Sequence, residues 1–199
     1  MSTDGIDTSR RRFLLASTSV VGAVGVVGIT IPFISSMNPS ARAQAAGAPV
    51  EVDVSKLQPG ERITVEWRGK PIWVLRRTER NLADLESLND RLADPQSQVD
   101  QQPPYAQNIH RSRETNPEIA VLVGICTHLG CSPTYRPELG ASDMGKDWKG
   151  GFFCPCHGSK FDLAGRVYAG VPAPTNLVIP PFKFLSDTVV LVGEDGGAA

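Results

Sequence analysis

Two six-residue runs, C-T-H-L-G-C at 126–131 and C-P-C-H-G-S at 154–159, hold every cysteine of the chain and two of its three histidines. Thiolate and imidazole are the side chains that bind soft and borderline metals. A fold that serves them must bring both runs to one place across the 22 residues between Cys131 and Cys154. Gly124, Gly130, Gly151 and Gly158 flank or interrupt the runs, where tight turns and close backbone approach favour a residue without a Cβ. Two hairpin tips facing each other would clasp one inorganic centre. The six candidates Cys126, His128, Cys131, Cys154, Cys156 and His157 exceed the needs of one tetrahedral metal, so some of them serve another purpose.

The surroundings of these runs read as β structure. V-E-V-D-V at 50–54, R-I-T-V-E-W at 62–67, P-I-W-V-L at 71–75, I-A-V-L-V-G-I at 119–125 and T-V-V-L-V at 188–192 have strand lengths and β-branched or alternating patterns. Arg68-Gly69-Lys70 and Ser186-Asp187, the latter after F-K-F-L, are hairpin punctuation. An antiparallel β domain is predicted over 51–199. One helix interrupts it, because Leu82, Leu85, Leu88 and Leu92 fall at three- and four-residue steps before Asp94-Pro95. The polar, Pro-rich stretch from Pro95 to Pro117 contains His110, read as a solvated surface histidine. No internal repeat stands out.

Upstream, Phe13 to Met37 is 25 residues without a charged side chain or histidine, roughly 37 Å as a helix and long enough for a bilayer. Signal-peptide cores usually have only about 7–15 apolar residues, so the run reads as a retained transmembrane anchor, with cleavage after Ala41-Arg42-Ala43 the competing reading. Arg10, Arg11 and Arg12 precede the span and only Arg42 follows closely. The positive-inside bias therefore puts residues 1–12 in the cytoplasm and the β domain outside. Paired arginines before Phe13-Leu14 resemble a twin-arginine export signal, which serves proteins exported already folded. Residues 38–50, rich in Ala with Pro39, Gly47 and Pro49, read as a hinge reaching about 40 Å when extended. With 20 basic and 21 acidic residues the chain lacks the basic excess that nucleic acid requires.

One cysteine and one histidine from each run make a Cys2His2 set, which suits either a 2Fe-2S centre or a structural zinc; iron and zinc content separate the two. The pattern is the Rieske signature. The chain resembles the bacterial Rieske iron-sulfur subunits of ubiquinol-cytochrome c reductase, the cytochrome bc complex, in its arginine pair, single anchor, Ala-rich hinge, β domain, both runs and V-P-A-P at 171–174. The resemblance implies a mostly β fold: an N-terminal transmembrane helix and an antiparallel Rieske domain with a small helical insertion and a cluster-binding subdomain. It implies Cys126, His128, Cys154 and His157 as ligands of one 2Fe-2S cluster, Ser159 as a hydrogen-bond donor to a bridging sulfide, and Cys131–Cys156 as a disulfide. Such a bond closes a loop of roughly 25 residues, worth on the order of 3.5 kcal/mol in the chain-entropy model, and is tenable in an oxidising compartment.

The same resemblance implies a bacterial inner-membrane subunit of a dimeric complex with cytochrome b and a c-type cytochrome. One electron comes from ubiquinol with proton release, His157 accepts a hydrogen bond from the quinol, Leu129 helps form the docking tip, and the tethered domain swings to a c-type cytochrome. Histidine ligation suits that task. Two ferric ions, two sulfides and two thiolates sum to zero charge, whereas four thiolates leave −2, and potentials rise from about −400 mV to between about −150 and +300 mV. Reduction adds negative charge, which raises the proton affinity of an outer histidine's free nitrogen. Two departures stand out: Phe161 where many high-potential members have a tyrosine donating to the thiolate matched by Cys126, and Val171 inserted into the usual G-P-A-P. A small Rieske subunit of another exported oxidoreductase would keep both runs and the export signal; co-purifying b- and c-type haem separates the two.

Overall fold

The structure is a computed structural model and describes residues 7–196, so the first six residues of the expected cytoplasmic segment lie outside it. The chain divides into two compact units, 1–45 and 46–199.

In the first unit, α1 (Thr8–Ser36) is the one helix among the described residues long and apolar enough to cross a membrane. It starts earlier than the uncharged run, because the Asp7 carboxylate accepts from the Ser9 and Arg10 backbone N–H groups and caps the first turn. Arg10 to Arg12 therefore lie in the helix. Three hydroxyls near its end bond back to the helix: Thr30 Oγ1 donates to the Val26 carbonyl at 2.7 Å, Ser35 Oγ to that of Pro32 at 3.1 Å and Ser36 Oγ to that of Phe33 at 2.7 Å. Polar side chains satisfied on their own backbone are compatible with a hydrocarbon surround. The predicted hinge contains a short helix, α2 (Ala41–Ala46), as its alanines favour.

The second unit is built from three antiparallel three-stranded sheets. β1 (Val50–Asp53), β9 (Val189–Val192) and β8 (Phe182–Ser186) form one, with β9 central. β2 (Arg62–Trp67), β3 (Lys70–Arg76) and β4 (Ile119–Val123) form the second, with β3 central. β2 and β3 join through Arg68 and Gly69, both at positive φ (51° and 70°), the turn whose twist matches a tight hairpin. All five residues of β4 are buried, which explains its unbroken apolar run. Core side chains from these sheets, including Trp73, Leu122, Phe182 and Val190, form one cluster that reaches Cys126 and Cys154.

The third sheet, β5 (Thr134–Arg136), β6 (Gly151–Phe153) and β7 (Lys160–Phe161), has strands too short for a period to register in the sequence. β6 leads into the second Cys/His run and β7 leaves it. Gly151 is fixed here by contact, since a Cβ would sit 2.0 Å from the Phe161 carbonyl oxygen and 3.0 Å from the Trp148 ring. Gly151→Ala is expected to destabilise the domain by about 2–3 kcal/mol, in the range of overpacked cores. A urea midpoint equal to wild type would contradict this.

The predicted leucine helix is shorter than its pattern. α3 (Glu79–Glu86) starts on a capping box between Thr78 and Asn81 and ends at Ser87, whose hydroxyl donates to the Asp84 carbonyl. A 3₁₀ turn at Asn89–Arg91 follows. The tighter turn rotates Leu88 and Leu92 into a second small core with Met144, Trp148 and Tyr168, and Leu85 stays buried. His110 is half-buried, a correction to its expected solvation: Nδ1 is enclosed without a partner, and burial beside Arg77 lowers its pKa from the usual imidazole value. Its backbone carbonyl is needed, accepting from Arg77 Nη1 at 2.7 Å.

Candidate metal centre

The two Cys/His runs fold into the same loop. In the first, Cys126 N–H donates to the Cys131 carbonyl at 2.7 Å and Gly130 N–H to that of Cys126 at 3.0 Å. In the second, Cys154 N–H donates to the Ser159 carbonyl at 2.8 Å and Gly158 N–H to that of Cys154 at 2.9 Å. The fifth residue of each loop turns through positive φ, 85° at Gly130 and 80° at Gly158, with open space where a Cβ would be. Conformation, not room, selects glycine there. Six residues that close on themselves in this way put the first residue at the buried base and the third or fourth at the rim.

That geometry sorts the side chains. Cys126 and Cys154 are each 2% exposed and carry free thiols. The imidazoles of His128 and His157 lie edge to face with ring centroids 4.8 Å apart, His128 half-buried and His157 exposed. Cys131 and Cys156 form a disulfide that ties the two tips. Leu129 projects from the first tip with 72% of its surface exposed. Burial pushes the Cys126 thiol up; the His128 backbone N–H works against this, the Cys154 thiol adds to it, and the Ser159 hydroxyl opposes it. A thiol in that setting ionises when a cation takes the site.

A third loop closes over the base. Ala173 N–H donates to Ser159 Oγ at 3.0 Å, and Thr127 Oγ1 donates to the Thr175 carbonyl at 2.7 Å, so residues 173–175 are stitched to both runs. Thr127 is a supporting residue that the sequence hid, because a hydroxyl between two ligand-type residues has no pattern of its own. So were Asp162 and Arg166, whose side chains are both wholly buried and paired at 2.7 Å. The Asp162 carboxylate also accepts from the Ala164 and Arg166 backbone N–H groups, while the Arg166 guanidinium donates to the Leu85 and Pro95 carbonyls and to Asn89 Oδ1. The pair therefore fastens the helical insertion to the strand that leaves the second run. Its sequence signal was two opposite charges four residues apart in the apolar stretch F-D-L-A-G-R.

Two buried free thiols and two adjoining imidazoles at the loop tips, with the remaining cysteines already bonded, are a donor set that fits a two-iron, two-sulfide centre. The fold and this donor set define a Rieske iron-sulfur protein, and residues 92–183 match the family described as Rieske [2Fe-2S] domain. Residues 1–40 match the family described as ubiquitinol-cytochrome C reductase Fe-S subunit TAT signal. The chain is 61% identical over 199 residues to the ubiquinol-cytochrome c reductase iron-sulfur subunit of Allochromatium vinosum, covering 100% of this chain and 95% of that protein. It is 46% identical to that of Rhodospirillum rubrum over 96% of each chain. A chain of a hyperthermophilic respiratory complex III is 30% identical, with 87% of this chain and 97% of that one covered and a TM-score of 0.48. The protein belongs to the family of ubiquinol-cytochrome c reductase iron-sulfur subunits, with a Rieske 2Fe-2S domain and an electron-transfer role.

Proposed function

We propose that Cys126 and Cys154 hold one iron and His128 and His157 the other, and that the subunit takes one electron from ubiquinol and hands it to a c-type cytochrome. The reading is carried by the two free, buried thiols and the two adjoining imidazoles that matched loops present. The bound cluster supplies a one-electron couple at a potential that histidine ligation keeps high. The chain supplies the rest. The disulfide fixes the distance between the tips, Ser159 holds its hydroxyl beside the Cys126 thiol while accepting from Ala173, and the main core keeps water from the thiol side. His157, exposed at the rim, offers the ring nitrogen that does not bind iron to a quinol hydroxyl and takes up its proton. Leu129 gives the tip an apolar contact for a membrane-embedded docking site, formed with cytochrome b in a dimeric complex.

In this reading α1 stays as the anchor in a bacterial inner membrane, with the amino terminus cytoplasmic and the domain periplasmic, and residues 38–50 serve as the tether on which the domain travels. The mature amino terminus is expected upstream of Phe13; finding it near Gln44 by intact mass would contradict a retained anchor. The overall function is tested by electron paramagnetic resonance of membranes reduced with quinol. A rhombic signal whose shape changes when a quinol-site inhibitor is added is expected, and a signal indifferent to every such inhibitor would contradict quinol oxidation here.

Phe161 gives a graded test. It is fully buried on β7 opposite Phe152 and has no hydroxyl to give. A hydroxyl donating to a ligand sulfur favours the more negative reduced state, so Phe161→Tyr should raise the midpoint potential. Hydrogen bonds to charged groups are worth about 1.5–3 kcal/mol, and the difference between redox states is roughly 1 kcal/mol, or about 40 mV for one electron. Redox titration of the full chain beside its variant reads this; an unchanged or lower midpoint with the hydroxyl in reach of Cys126 would contradict it.

A further inference from the structure

The sulfurs of Cys131, Cys154 and Cys156 lie within 4.8 Å of one another, although only Cys131 and Cys156 are bonded. Cys154 is therefore a free thiol set against a disulfide. Thiols exchange with disulfides by direct displacement at sulfur, and a nucleophile held in place reacts far faster than one arriving from solution. Cys154 is also 2% exposed, so external oxidants and thiols reach it less readily than its two neighbours do.

We propose that loss of the cluster releases Cys154 to attack Cys131, so that a Cys131–Cys154 disulfide replaces Cys131–Cys156. The inference rests on the reading that Cys154 is an iron ligand. The Cys154 sulfur bonds to the Cys131 sulfur, the Cys131–Cys156 bond breaks, and the proton given up by Cys154 ends, through solvent, on the departing Cys156 sulfur. One disulfide is present before and after, and nothing is oxidised. Attack at Cys131 is preferred because Cys154 and Cys156 are separated by Pro155 alone, and a bond between them would close a very small ring on a stiff backbone. The product keeps the tips tied but removes a ligand, and it leaves the free thiol on Cys156, which is exposed. Iron on Cys154 takes away the nucleophile, so the cluster guards its own disulfide and a chain that loses it cannot be reloaded without a reductant.

The experiment uses the full chain in detergent under anaerobic conditions, loaded or stripped of iron with a chelator, then alkylated and mapped by mass spectrometry. The loaded chain is expected to contain Cys131–Cys156 alone. The stripped chain is expected to contain mainly Cys131–Cys154, with Cys126 and Cys156 alkylated, and to regain its paramagnetic signal from iron and sulfide only after treatment with a dithiol. A stripped chain that keeps Cys131–Cys156 with Cys126 and Cys154 alkylated, or that forms Cys126–Cys154, overturns the proposal. Cys154→Ser is expected to lack iron and to keep Cys131–Cys156. Should it retain the cluster, the ligand assignment fails, a result distinct from failure of the exchange.

Discussion

Alanine in place of His157 is expected to abolish quinol oxidation in the assembled complex and to leave the chain without its rhombic paramagnetic signal. The side chain stands at the exposed rim of the second loop with its ring against His128, so on the proposed assignment truncation removes an iron ligand and the group that meets the quinol at once. No neighbour substitutes for it. His110 belongs to the 95–117 stretch and is held there through its carbonyl by Arg77, and all four cysteines are either bonded or committed to the buried side. Fold stability should change little, because the loop closes through the Cys154 and Gly158 backbone groups and the disulfide rather than through the ring. Normal quinol turnover by an assembled complex carrying His157→Ala would refute the role given to it.

Alanine in place of Asp162 is expected to have the largest effect on folding. Removing the carboxylate leaves a fully buried guanidinium without its anion, and the Ala164 and Arg166 backbone N–H groups without their acceptor. Breaking one half of a buried ion pair typically costs about 3–5 kcal/mol, a large share of the roughly 5–15 kcal/mol that a domain has. The damage should spread along the Arg166 contacts to Leu85, Asn89 and Pro95 and loosen the insertion before the outer sheet. Hydrogen exchange would show faster amide turnover across 85–97 than across β1, β8 and β9. A urea midpoint within error of wild type would mean that the pair contributes little.

The outer framework was legible because each of its strands is long enough to show a period and carries β-branched residues. Val50–Asp53, Arg62–Trp67 and Lys70–Arg76 follow that reading to within a residue or two. The short strands around the second loop were not, since two or three residues have no period; they exist because β6 pairs with β5 on one side and β7 on the other. The helix at 79–86 ended early because Leu88 and Leu92 serve a second core with Met144 and Trp148, a distant partner that no local pattern reveals. The half-burial of His110 was missed for the same reason, because Arg77 reaches it across 33 residues. At the site, residue types and spacing pointed to a clasped metal, and family resemblance implied the Cys131–Cys156 bond that the structure contains. The supports Thr127, Asp162 and Arg166 became visible only with distances in hand.

The assignment of two thiolates and two imidazoles to one cluster is tested most directly by pulsed electron paramagnetic resonance on the reduced full chain, with natural-abundance and ¹⁵N-labelled histidine. Two nitrogen couplings that both change on labelling are expected, from His128 and His157. A reduced cluster with no histidine nitrogen coupled to it would contradict the site described here.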